Sequence, residues 1–252
     1  MSTLLVDIGN TRVKWAVLRG STMGRMQAAL HGGKPAALRA LVRKSRGIEQ
    51  VVAVCVAGAR LERALGAAVK LRFGIAPQFV RSQREALCVR NGYRDTWRLG
   101  ADRWVGAVGA YHLLGGRAVV VANVGTALTI DAVDGKGHHL GGAIAPGPST
   151  MVDSLLAATH GIRKRAGGKP SARSLFAADT ASALSAGATH AAAAFIDRAM
   201  AEAAAAIGAR PVLILTGGAA PGLRTYIKSR ARMAPDLVLR ALAIFALATG
   251  QD

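Results

Sequence analysis

One short pattern occurs once in each half of the chain and restricts the fold more than any other feature. In the first half the apolar run LLV leads into Asp7-Ile8-Gly9-Asn10-Thr11, and in the second half AVVVA leads into Asn123-Val124-Gly125-Thr126. A second strand-like segment follows each copy, WAVL in one and LTIDAV in the other. The repeat predicts two duplicated domains, and Gly115-Gly116 predicts the boundary between them, giving residues 1–115 and 116–252.

Strand-like and helix-like patterns alternate along the rest of the chain. Apolar runs predict buried strands over residues 51–58 and 211–219. Helical periodicity and end signals predict helices over residues 35–45, 61–71, 100–114, 179–208 and 239–249. Because strands alternate with helices, we expect an α/β fold.

The repeated hairpins have a composition that suits phosphate binding. A tight glycine turn brings backbone N–H groups close to phosphate oxygens, and a neighbouring threonine hydroxyl adds a further donor. Asp7, at the end of its strand, is a carboxylate of the kind that holds Mg²⁺ together with water and phosphate. A third turn, Thr216-Gly217-Gly218, offers a flat surface for adenosine. Together the three turns predict an ATPase cleft between two related domains, the alternative being that they are turns without a ligand.

Other site patterns are missing from the sequence. Gly168-Lys169-Pro170 is not a P-loop, and no HExxH or GxSxG occurs. We interpret His138 and His139 as exposed hairpin residues without metal partners. Cys55 and Cys88 lie far apart, which predicts buried free thiols in place of a disulfide or zinc site.

The chain carries 33 Lys and Arg against 14 Asp and Glu, a net charge of +19. The densest basic run, Arg163-Lys164-Arg165 with Lys169, falls in a predicted loop, and aromatic residues make up only 4%. A solvated basic surface therefore explains the charge better than a specific nucleic-acid site, which needs clustering and a motif. No apolar stretch reaches the roughly 18 residues of a membrane span and no signal-peptide pattern opens the chain, so we expect a cytoplasmic protein.

Phosphoryl transfer to an alcohol requires a carboxylate beside the acceptor hydroxyl. Asp102, within Gly100-Ala101-Asp102-Arg103 at the start of a predicted helix, is the candidate general base. The alternative is an acid that only stabilises the helix N-terminus.

The segments DIGNTRVKW, GADRW, NVGTALTID, GGAIAPG, DTASALSAG and LTGGA, in this order, resemble the motifs of type III pantothenate kinases. The resemblance covers Asp7 to about Gly218. It implies the actin/hexokinase-like ATPase superfamily, with two ribonuclease H-like domains and the nucleotide cleft between them. It also implies ATP-dependent phosphorylation of pantothenate to 4′-phosphopantothenate, the first step toward coenzyme A, by a homodimer that uses Mg²⁺ and often K⁺ or NH₄⁺.

The resemblance also assigns residues to roles. Asp102 is the implied general base, and Asp7 is the implied Mg²⁺ ligand. The implied ATP-binding residues are Asp7, Ile8, Gly9, Asn10, Thr11, Arg12, Val13, Lys14 and Thr126. The implied substrate-binding residues are Tyr93, Gly100, Ala101, Asp102, Arg103 and Thr180. Thr180 is expected to act across the dimer interface; the alternatives are a helix N-cap for Thr180 and a half-buried loop aromatic for Tyr93.

One position departs from the family pattern. The family usually has aspartate, associated with the monovalent cation, where this chain has Asn123, so we expect weak or absent dependence on K⁺ or NH₄⁺. Two other functions stay open at this point. One is a related kinase with another acceptor alcohol, and the other is a non-enzymatic regulatory factor associated with DNA.

Overall fold

Two mixed β-sheets with flanking helices form the fold in the computed structural model, which describes residues 1–170 and 174–248. The strands are β1 (Ser2–Ile8), β2 (Arg12–Arg19), β3 (Thr22–Met23), β4 (Gln27–Leu30), β5 (Gln50–Cys55), β6 (Gln78–Phe79), β7 (Glu85–Ala86), β8 (Val89–Arg90), β9 (Val119–Val124), β10 (Ala127–Val133), β11 (His139–Pro146), β12 (Val212–Thr216) and β13 (Ala231–Met233). The helices are α1 (Ala36–Lys44), α2 (Ala59–Phe73), α3 (Ala101–Leu113), α4 (Pro148–Ala158), α5 (His160–Arg165), α6 (Thr180–Ile207), α7 (Ala220–Leu223) and α8 (Leu237–Ala248). The described chain divides into two units: residues 1–116 and 137–139 with the stretch from Asp236 onward, and residues 117–136 with 140–235.

The sheet of the first unit has the strand order β3-β2-β1-β5-β6, with β4 also paired to β2. Strands β1 and β2 form an antiparallel hairpin, whereas β5 runs parallel to β1 and β6 runs parallel to β5. Side chains alternate between the two faces of a strand. Leu4, Val6 and Ile8 accordingly share one buried core with helices α1 and α2. The residues of β1 that alternate with these three, Asp7 among them, face the other side of the sheet. Helices α3 and α8 also pack against this sheet.

The sheet of the second unit repeats this topology in the order β11-β10-β9-β12-β13. Its first two strands, β9 and β10, are again antiparallel, and the next two, β12 and β13, are again added in parallel. The long helix α6 covers one face, where Ile196 and Met200 share a core with Val120, Ala122 and Val124. The duplicated hairpin motif therefore corresponds to a duplicated strand order.

Helix α8 belongs to the first unit, whereas the predicted boundary between residues 115 and 116 assigns it to the second domain. It packs in the first unit against α3, so closely that a Cβ on Gly109 would lie 2.2 Å from the Cβ of Ala241. The helix is almost entirely apolar and needs a buried position, which the α3 side of the first sheet supplies. The predicted helix over residues 239–249 lies within α8 except for Thr249, which is outside the described residues.

Three further predictions can be compared with the structure. Cys55 is buried as predicted, but the prediction was wrong for Cys88, which is exposed in the turn between β7 and β8. The basic run Arg163–Arg165 lies in helix α5 and not in a loop; the Arg163 side chain donates to the carbonyls of Leu156 and Ala157 at the end of α4. Within residues 1–170 and 174–248, no helix combines the length and the apolar composition that a membrane span needs.

Candidate functional site

Asp7 is a buried carboxyl near the carboxyl end of β1, where the hairpin to β2 begins. Lys14 lies directly opposite Asp7 in the antiparallel register, so the two side chains share one face of the sheet. Burial raises the pKa of Asp7 from 3.8 to about 7, and the nearby Asp102 carboxylate adds to the rise, although the Lys14 ammonium opposes it. The structure therefore brings together three predicted site residues that come from two separate motifs.

Asp102 lies in the first turn of α3, as predicted. Its Oδ1 accepts a hydrogen bond of 2.8 Å from the backbone N–H of Arg103, which fixes the carboxylate at the helix N-terminus. Gly100 immediately precedes the helix, and a Cβ there would lie 2.9 Å from the same oxygen. Glycine at this position leaves room for the carboxylate. Ala101 begins the helix and is half-buried.

Arg103 and Tyr93 form a contact pair beside Asp102. The Arg103 guanidinium is buried and donates through Nη1 to the Tyr93 hydroxyl at 3.1 Å. Its central carbon lies 5.8 Å from the centroid of the Tyr93 ring. The backbone N–H of Tyr93 donates to Asn91 Oδ1 at 3.0 Å, and the Asn91 amide in turn donates to the Gln83 carbonyl at 3.1 Å. Tyr93 is therefore held in a fixed place, as a binding residue requires.

His139 is a neighbour of this pair that the sequence interpretation missed. We expected both His138 and His139 to be exposed; His138 is, but His139 is buried, with its ring centroid 6.0 Å from that of Tyr93. The two differ because side chains alternate along the strand that begins there. Across the described ranges no cluster of three metal-ligating side chains is found.

The implied ATP-binding segment forms the hairpin between β1 and β2. Ile8 and Val13 are completely buried in the α1 and α2 core, so only their backbone can serve a ligand. Asn10, Thr11 and Arg12 are exposed at the tip.

The tip of this hairpin is fixed from two sides. Gly9 N–H donates to the Arg12 carbonyl at 3.0 Å, and the buried His31 contacts the Gly9 carbonyl through Nε2 at 2.7 Å. His31 is the second residue that sequence reasoning missed, because its contact with the hairpin arises only when β4 pairs with β2.

In the second unit, the backbone at Gly147 and Gly217 lies close to the hairpin that contains Asn123 and Thr126. The Thr126 carbonyl accepts from Gly147 N–H at 2.8 Å and from the Thr150 hydroxyl at 2.6 Å, at the start of α4. A Cβ on Gly147 would lie 2.0 Å from the carbonyl oxygen of Gly125, and a Cβ on Gly217 would lie 2.6 Å from Asn123 Oδ1. Glycine is therefore required at both positions for the backbone to approach the hairpin of β9 and β10.

Thr180 is the first residue of α6 and is half-buried. The N-cap is Asp179, whose carboxylate accepts from Ser182 N–H at 2.9 Å. This hydrogen bond lowers the pKa of Asp179. The alternative interpretation of Thr180 as the N-cap is therefore wrong, and its expected contact with pantothenate stays a prediction.

Comparisons with known proteins agree with the residue pattern. A family model described as type III pantothenate kinase matches residues 3–202. A type III pantothenate kinase from Nitrosococcus oceani is 35% identical, across 95% of this chain and 92% of its own length. Another from Xanthomonas campestris pv. campestris (strain B100) is 39% identical, across 98% of each chain.

Solved structures with little sequence similarity show the fold. The (R)-2-hydroxyglutaryl-CoA dehydratase component A from Acidaminococcus fermentans has a TM-score of 0.59 at 14% identity, and all of both chains is covered. A ROK hexokinase from Thermus thermophilus has a TM-score of 0.54 at 14% identity, again over all of both chains. The predicted α/β fold is confirmed.

Proposed function

The chain belongs to the type III pantothenate kinase family, and from that premise we propose how its residues phosphorylate pantothenate with ATP. The hydroxyl oxygen of pantothenate attacks the γ-phosphorus, the bond from that phosphorus to the β–γ bridging oxygen breaks, and ADP and 4′-phosphopantothenate leave. The observation that carries the assignment of residues is that Asp7 lies opposite Lys14 in the hairpin, close enough to the Asp102 carboxylate for that charge to raise the pKa of Asp7. It joins the implied phosphate hairpin to the implied general base.

Asp102 acts as the general base. Its carboxylate accepts the hydroxyl proton as the new bond to phosphorus forms, which prevents positive charge from accumulating on the attacking oxygen. The hydrogen bond from Arg103 N–H holds Oδ1 in place, so the carboxylate is oriented before the substrate arrives. Arg103 and Tyr93, which already contact one another, bind the acceptor beside it together with the Gly100 and Ala101 backbone.

Asp7 is suited to hold a divalent cation that accompanies ATP. A carboxylate oxygen is the ligand that Mg²⁺ prefers. The pKa of Asp7, raised to about 7 by burial, indicates that its negative charge lacks sufficient local compensation, which a cation provides. A cation held there would neutralise charge on the phosphate oxygens, and Lys14 and the hairpin from Ile8 to Arg12 would orient those oxygens. Thr126, beside the glycine turns of the second unit, is assigned to ATP binding.

Several finer features belong to the same proposal. Asn123 offers an oxygen without charge, so we expect weak or absent dependence on K⁺ or NH₄⁺. Thr180 is assigned to pantothenate across a homodimer interface. We also expect a cytoplasmic enzyme. We expect no specific nucleic-acid binding, because the basic residues are scattered along the sequence and aromatic residues make up only 4% of it.

A coupled assay of ADP formation tests the function. Purified protein with ATP and Mg²⁺ is supplied with pantothenate, and in parallel with small alcohols such as pantetheine, glycerol, glucose and homoserine. We expect turnover with pantothenate far above that with the non-pantoyl alcohols. Higher turnover with another alcohol would identify a kinase with a different acceptor, and no turnover with any of them would contradict the kinase assignment.

A further inference from the structure

The hairpin that carries Gly9, Asn10 and Thr11 is held by a side chain from outside the motif. His31 follows β4, which pairs with β2, and only 5% of its surface is exposed. Its backbone N–H donates to the Thr11 carbonyl at 3.3 Å, and its Nε2 lies 2.7 Å from the Gly9 carbonyl oxygen. His31 therefore contacts Gly9 and Thr11, the residues on either side of Asn10.

The partners of the imidazole define its tautomer. The Gly33 backbone N–H is only a donor and lies 3.0 Å from Nδ1, so Nδ1 is the acceptor nitrogen. The Gly9 carbonyl oxygen is only an acceptor, so Nε2 carries the proton and donates. In this tautomer His31 links the loop after β4 to the hairpin tip.

This hydrogen bond has a consequence for the next amide. The chain has no cis peptide bonds, and in a trans peptide the C=O and the following N–H point in opposite directions. Because His31 holds the Gly9 carbonyl on its own side, the Asn10 N–H is directed to the opposite side of the tip. A backbone N–H that is fixed before the ligand arrives binds phosphate without an ordering cost.

We propose that His31 is a positioning residue for the ATP phosphates, which it orients by holding the Gly9 carbonyl so that the Asn10 N–H faces the nucleotide. The inference rests on the proposed function of the hairpin. A purely structural role of His31 would affect the binding of ATP and pantothenate alike. The proposed role affects ATP binding and depends only on the Nε2–H donor.

Three substitutions of His31 test the roles of its two ring nitrogens separately. In His31→Gln the side-chain amide N–H replaces the Nε2–H donor; in His31→Asn an amide oxygen replaces the Nδ1 acceptor; His31→Ala removes both. We expect Asn and Ala to raise the KM for ATP by about 10- to 100-fold, the scale of one lost hydrogen bond to a charged group, with the KM for pantothenate within about twofold. His31→Gln is the matched control and should stay within about threefold of the wild type for both substrates.

Direct ATP titration by calorimetry, without pantothenate, accompanies the kinetics, and thermal unfolding verifies that each variant is folded. An unchanged ATP affinity in folded His31→Asn or His31→Ala overturns the proposal, as does an equal loss of affinity for ATP and pantothenate. Loss in the Gln variant equal to that in the Asn variant also overturns it. If the wild type binds ATP but does not phosphorylate pantothenate, the proposed function fails while the titrations still decide the role of His31.

Discussion

The buried carboxyl of Asp7 makes the stability of the ligand-free protein depend on pH in a definite direction. Its folded-state pKa is raised to about 7 from 3.8, mainly by burial. A group whose pKa is raised on folding contributes stability that is fully present below the unfolded pKa and is lost as the pH rises through the folded pKa. The ligand-free protein should therefore lose the contribution of Asp7 between about pH 4 and somewhat above pH 7.

Asp7→Asn isolates this contribution, because the amide is similar in size and does not titrate. A shift from 3.8 to about 7 corresponds to about 4 kcal/mol between fully protonated and fully ionised conditions. Part of this is already lost at about pH 5, so about 3 kcal/mol remains between about pH 5 and about pH 8.5. Over that interval the free energy of unfolding of the wild type should fall, relative to that of the variant, by this amount.

Urea unfolding of both proteins at the two pH values, without nucleotide, measures the difference. Groups that do not interact with Asp7 titrate in both proteins and cancel in the comparison. A wild-type-to-variant difference that stays constant with pH within about 0.5 kcal/mol would refute the reasoning, because it would mean that Asp7 is ionised throughout. If Asp7 holds the cation, binding of Mg²⁺ with ATP near neutral pH should also release protons, since the ligand must be ionised.

Two further predictions concern other parts of the chain. Gly109→Ala should lower the free energy of unfolding by at least about 1–3 kcal/mol in urea titrations, because its Cβ would lie 2.2 Å from that of Ala241. The matched change Gly106→Ala meets only Leu237 at 3.9 Å and should be neutral or stabilising, so equal losses in the two variants would contradict the close packing of α3 on α8. Replacing Na⁺ by K⁺ or NH₄⁺ should change wild-type activity little, whereas Asn123→Asp should gain activation by K⁺, because a carboxylate adds Coulomb attraction for the cation. Strong K⁺ activation of the wild type that is unchanged in Asn123→Asp would show that position 123 does not govern the cation.

Features that depend on neighbours along the chain could be predicted from the sequence. The glycine hairpins after β1 and β9 follow from local turn chemistry, and Asp102 was placed correctly because an acid after glycine marks the start of a helix. The repeated pattern predicted two duplicated domains, and the two sheets have the same strand order.

Features that depend on tertiary packing could not be predicted in this way. His31 reaches the Gly9 carbonyl only through the pairing of β4 with β2, and His139 reaches Tyr93 only when the segment from 137 to 139 joins the first unit. Helix α8 is apolar on nearly all sides, so its sequence has no polar face that would indicate which sheet it covers. In each case the decisive partner is distant in sequence.

The central claim is that Asp102 is the base that activates the pantothenate hydroxyl, and a comparison of the wild type with Asp102→Asn tests it most directly. Formation of 4′-phosphopantothenate is followed by mass spectrometry in a single turnover, with ATP affinity and thermal unfolding measured on the same samples. We predict a rate about 10²- to 10⁴-fold lower in the variant, with ATP affinity and folding retained, because the asparagine amide cannot accept the proton. A folded Asp102→Asn protein that forms 4′-phosphopantothenate at nearly the wild-type rate would contradict the account.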